Sequence, residues 1–261
     1  MSMMIHCGGR VVDFEEIKNV KPPIKTKTYT PIEHKDLILN VSRVTDNILG
    51  NKGYKLVNSQ YALAYGMTKD ENGEIVYQDD GAKMFGLLSF DRPDSDGSYA
   101  RSIGIRNSYD RSMSVGWSFG VRVFVCDNLA FTGDITYMRK HTGDVWKDLR
   151  HKLYDSLEDS ANSTWTKMDD DIGLMKDRKI SKRRGYELLG RFYGDRVFTG
   201  SNQFNEAFRH WKTPPYEEFG ESSVWGLYNA CTHALKTCKP NNIMQRHIKL
   251  HDNSMKLIGE A

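Results

Sequence analysis

Cysteine is scarce in this chain, with only four (Cys7, Cys126, Cys231 and Cys238) among 261 residues. They form no C-x-x-C pair and no Cys/His spacing of the zinc-finger type, which speaks against a disulfide framework or a cysteine-based zinc finger and suits a reducing compartment. Long apolar runs are also missing. No segment approaches the roughly 18 apolar residues of a membrane span, and the start Met-Ser-Met-Met-Ile-His-Cys lacks the regions of a signal peptide. A cytoplasmic protein without membrane contact is expected. Charge of one sign does not dominate either: 37 Lys and Arg stand against 34 Asp and Glu, for a net charge of +3. Walker loops, H-E-x-x-H and G-x-S-x-G are absent, so neither a metal nor a cofactor is expected.

What is present begins with size: 261 residues, 39% of them hydrophobic, suffice for a real core in one integrated domain. The near-neutral total hides an asymmetry. Residues 1–100 carry 12 Lys/Arg and 14 Asp/Glu, whereas residues 101–261 carry 25 and 20, making the second half the basic one. Residues 1–29, with Lys21-Pro22-Pro23 and alternating Lys/Thr, read as an extended amino-terminal arm. Thr30-Pro31-Ile32-Glu33 then forms a capping box with proline in the first helical position. The stripe Leu37, Ile38, Val41, Val44 and Ile48 predicts a helix over 31–49.

From Tyr54 to His141 the apolar period shortens to two, which means strands. The segments 62–68, 75–78, 83–90, 99–107, 112–126 and 135–139 fit, with Asn72-Gly73 as a hairpin turn and Asn128–Asp134 as a connection. The run 112–126 alternates most cleanly: Met113, Val115, Trp117, Phe119, Val121, Val123 and Val125 are large, while Ser112, Ser114, Gly116, Ser118 and Gly120 are small. It reads as a central strand whose small face admits a helix or a second subunit. Helices follow over 143–160, 165–193, 201–212, 222–238 and 241–258. Short links make the sheet mainly antiparallel, and strands followed by helices define an α+β fold, with a core over 30–160 and a helical region over 161–261 packed on it.

Three polar clusters flank these elements. Arg139-Lys140-His141-Thr142 sits where the sheet gives way to a helix; with Thr142 as N-cap and His141 protonated it suits an anion such as phosphate. Arg106 and Asn107, with Ser108, Tyr109, Asp110 and Arg111, belong to a polar hairpin connection able to hold a phosphate and stack on a base. Lys182, Arg183 and Arg184 lie in the basic stretch 176–196, which interleaves aromatics in the manner of a single-strand groove. Turn and cap chemistry alone also accounts for much of this composition. Asp110, Cys126, Asp127 and Asn128 fit either turn roles or a site with His141.

Taken together, Ile105-Arg106-Asn107-Ser108-Tyr109-Asp110-Arg111-Ser112, Gly120 through Phe131, Arg139-Lys140-His141-Thr142 and the Trp-x-x-x-Asn-Ala-x-Thr pattern of Trp225–Thr232 resemble the phage/plasmid-like family catalogued as domain of unknown function 932. The resemblance spans about residues 60–255. It departs at Tyr109, where relatives tend to have His, and at the bulky Trp117-Ser118-Phe119. It implies a mobile-element origin and an intracellular life, and no particular activity. The leading expectation is a non-catalytic nucleic-acid-binding protein, with single-stranded DNA favoured, working in binding or annealing as a homo-oligomer. The alternatives are a phage protein–protein module, structural or inhibiting a host defence system, and an enzyme with a His/Asp/Asn/Cys site.

Overall fold

The computed structural model describes residues 9–93, 99–123, 128–143, 145–238 and 240–259. Its frame is a six-stranded antiparallel sheet with strands adjacent in chain order, from β1 (Arg10–Val12) through β2 (Lys55–Lys69), β3 (Ile75–Asp91), β4 (Tyr99–Ser108) and β5 (Val115–Val123) to β6 (Asn128–Arg139). Among the described residues eight α-helices accompany it: α1 (Phe14–Asn19), α2 (His34–Gly50), α3 (Val145–Asp159), α4 (Trp165–Asp177), α5 (Lys182–Gly194), α6 (Ser201–Lys212), α7 (Val224–Leu235) and α8 (Pro240–Gly259). The protein is an α+β fold with a helical carboxy-terminal half.

The period-two pattern of β5 separates two environments. Val115, Trp117 and Phe119 enter a core with Leu37, Ile38 and Val41 of α2 and Leu149, Leu153 and Leu157 of α3. Trp117 stacks on Tyr137 at 4.6 Å and donates its indole N–H to Ser156 Oγ at 3.0 Å, so its polar edge is satisfied as its ring is buried. On the opposite face the register aligns Gly104 with Ser118 and Ser102 with Gly120, a strip of small residues across two strands. Helix α8 lies against β6, and its Ile248 packs on Ala62, Phe85, Leu87 and Met113 of that face. A helix therefore covers the small face. A second core joins α4 to α8, centred on Leu189, Phe192, Trp211, Leu227, Tyr228 and Leu250.

Several expected boundaries shift for identifiable reasons. Of the run 112–126, Val115–Val123 forms the fifth strand of six, not the central one, and residues 124–126 lie outside the described residues; residues 128–134 are strand, not connection. The arm over 1–29 holds β1, paired with β2, and the short helix α1, which Asp13 caps by accepting from Glu16 N at 2.8 Å. Helix α2 starts at His34, beyond Pro31, because its first N–H donates to the Tyr109 hydroxyl at 2.9 Å; a tertiary cap replaces the local capping box. The expected helix 165–193 breaks at 178–181, where Ile180 N donates to Ser222 O. Ser181 then caps α5 by accepting from Arg184 N at 3.1 Å.

Candidate anion-binding site

The end of β4, the chain just after β6 and the lead-in to α2 meet at one corner of the sheet. Asn107 is the last inward residue of β4 on the face that α2 covers, paired in register with Met84. Its amide is fully buried and joins three segments. Nδ2 donates to Ile32 O at 2.7 Å and lies 2.9 Å from His34 Nδ1, while Oδ1 lies 2.7 Å from His141 Nε2. His34 Nε2 in turn stands 3.0 Å from Gly81 O.

This chain fixes every proton. Carbonyl oxygens only accept, so Ile32 O orients the Asn107 amide and Gly81 O places the His34 proton on Nε2. His34 Nδ1 then accepts from Asn107, and His141 donates from Nε2 to Asn107 Oδ1. The bare nitrogen of His141 is Nδ1. Burial pushes the His34 pKa down to about 3, with the Gly81 bond opposing and His141 adding to the fall, and burial alone pushes His141 down to about 4. Both rings are neutral at pH 7, which corrects the expectation of a protonated His141.

Around His141 opens a cavity of about 370 Å³. Arg111 and Lys140 supply its cations, Thr28, Ser112, Ser114 and Thr142 its hydroxyl groups, and Tyr29, Met113 and His141 the rest of its wall. None of these lining residues carries a carboxylate. Arg111 holds a positive φ of 61° and its guanidinium sits 4.6 Å over the Tyr29 ring. Thr30 N donates to His141 O at 2.9 Å, stapling the lead-in to the end of the sheet. Asp110, the nearest acid in sequence, is held behind the wall: it pairs with Lys83 at 3.2 Å and accepts from Ser112 N and Oγ at 3.0 and 2.6 Å. Its role is the turn.

The sequence candidates thus divide. Lys140, His141 and Thr142 line the cavity, and Asn107 lies behind His141. Thr142 is not a helix N-cap, because α3 begins at Val145 after Gly143 in the left-handed region. Arg139 pairs with Asp148 at 2.7 Å. Arg106 is buried with its guanidinium against Met138 Sδ, beneath the surface. Lys182 donates to Trp211 O at 2.7 Å and rides over the Trp211 ring at 4.5 Å, so it joins α5 to α6 and is not part of an open groove. Arg183 and Arg184 pair with Glu187 at 3.3 and 3.1 Å on an exposed helix face. Cys126 and Asp127 lie outside the described residues, as does the side chain of Asn128, whose backbone pairs with Val123. Sequence reasoning missed Thr28, Tyr29 and His34. A tyrosine in a Lys/Thr run and a histidine in a first helical turn carry no local signal of the tertiary corner they join.

The fold and this corner define an α+β protein with a cation-lined, hydroxyl-rich cavity backed by a neutral His–Asn–His chain. No family model matches the chain, and neither a curated protein nor a solved structure matches it.

Proposed function

We propose that this chain, in keeping with its resemblance to the phage/plasmid-like family, is a mobile-element protein of the host cytoplasm that binds nucleic acid without catalysis. Single-stranded DNA is the favoured ligand, and the protein works as a homo-oligomer. One observation carries the reading: two polar clusters about thirty residues apart in sequence converge on one cavity whose described lining residues supply two cations and several hydroxyl groups and include no carboxylate. Such a donor set holds a phosphate of the backbone. Support for self-association is separate. The β2–β3 hairpin exposes Tyr65, Met67, Ile75 and Val76, apolar side chains divided between its two faces and suited to contact with a second protein surface. The same side chains favour the alternative of a protein–protein module.

Fluorescence polarisation of a labelled single-stranded oligonucleotide tests the proposal. Affinity should fall steeply with salt, and Arg111→Ala/Lys140→Ala should weaken binding alike for all sequences. The log–log salt slope should drop by about 1.4, since each phosphate contact on a single strand contributes about 0.7. No binding at low salt, or equal slopes for the two proteins, would sink it.

A further inference from the structure

The helical half holds a second constellation, apart from the cavity. Glu206 and His210 stand one turn apart on α6, and His233 faces them from α7. Glu206 Oε1 lies 3.0 Å from His210 Nε2 and 3.6 Å from His233 Nε2, and the three atoms fall within 4.8 Å of one another. We propose that Glu206, His210 and His233 form a binding site for a divalent transition-metal ion of the zinc class, which pins α6 to α7.

The donor set carries the choice of ion. Two imidazole nitrogens and one carboxylate oxygen suit zinc, whereas calcium and magnesium demand all-oxygen cages. A fourth ligand has its place: His210, His233, Asn229, Tyr216 and Pro214 border a cavity of about 10 Å³, room for one water.

The local hydrogen bonding is unsettled in a way an ion resolves. His210 Nε2 meets an acceptor, Glu206 Oε1, at 3.0 Å and a donor, Arg209 Nη2, at 3.1 Å. Protonated or bare, this nitrogen satisfies one neighbour and opposes the other. A metal takes the bare nitrogen and Oε1 together. Arg209 is exposed and also reaches Oε2 through its Nε at 3.2 Å, so it keeps one bond to the carboxylate after its Nη2 moves aside.

The test uses the full chain, stripped with a chelator and titrated with zinc against a chromophoric competitor, with cobalt(II) as an optical probe. Expected are one zinc per chain, the intense visible absorption of four-coordinate cobalt, and a zinc-dependent rise in Tm. His233→Gln, at a half-buried position, should weaken zinc at least about tenfold with an unchanged far-ultraviolet spectrum, and His210→Gln/His233→Gln should abolish the cobalt bands. His151→Ala, which removes an exposed histidine of α3, should retain them. Zinc uptake by His210→Gln/His233→Gln equal to that of the unaltered chain, pale six-coordinate cobalt, or no zinc uptake at all would overturn the site.

Discussion

At the scale of the residue, Asn107 is the pivot: one amide saturates Ile32, His34 and His141, and so ties the α2 lead-in, the end of β4 and the chain after β6 together. The neutral state of its two histidine partners makes stability depend on pH. Unfolded, each histidine titrates near 6.5; folded, His34 titrates at about 3 and His141 at about 4. The unfolded chain therefore binds more protons below pH 6.5. The contribution of these rings is complete above that value and is lost as pH falls, by about 1.4 kcal/mol per pH unit for each histidine, down to pH 4 for His141 and pH 3 for His34. Urea denaturation between pH 7 and 4.5 should show this decline, and His141→Gln should flatten it; an equal slope in the variant would refute the assignment. Lys140, His141 and Asn107 were legible in sequence as members of polar clusters at strand ends. The charge state of His141 was not, because it is set by burial beneath Tyr29 and α2, which no local pattern encodes.

At the scale of the element, periodicity fixed most of the architecture because one buried face imposes it: Val115, Trp117 and Phe119 of the alternating run and the stripe of α2 reappear as core. What it could not fix were joints governed by long-range partners, such as the break at 178–181, where Ser222 takes the backbone bond and Ser181 restarts the helix. Past that break, α5 meets α6 at close range. A Cβ on Gly185 would come within 2.3 Å of three ring atoms of Trp211, whose indole N–H donates to Lys182 O at 3.1 Å. Gly185→Ala must push the two helices apart. It should destabilise the protein by about 1–3 kcal/mol and shift Trp211 fluorescence to longer wavelength; calorimetry with emission spectra checks both.

At the scale of the whole molecule, the sheet is unevenly supported. Among the described residues β1 pairs with β2 only as far as Leu63 and β4 reaches β3 at Lys83, so Gly66–Lys69 and Ile75–Asp79 are sheet-bonded only to each other there. This ribbon ends in the Asn72-Gly73 turn, with Gly73 at φ 87°, as the sequence indicated. Two-stranded ribbons are marginal in water. Amides of 66–69 and 75–79 should exchange at least about a hundredfold faster than those of 84–88 in a monomer, and their protection at high protein concentration would mark the ribbon as a self-association surface.

The corner that joins Thr28 to Thr142 has a temporal side as well. Tyr29 donates to the carbonyl of Tyr109, 80 residues downstream, and Thr30 to that of His141. During vectorial synthesis the amino-terminal wall of the cavity is made early and waits, unclosed, while every strand emerges. The growing polypeptide acquires the pocket only when His141 clears the ribosome, so ligand capture on a nascent chain would report completed closure of the sheet, whether or not the carboxy-terminal helices had yet been made.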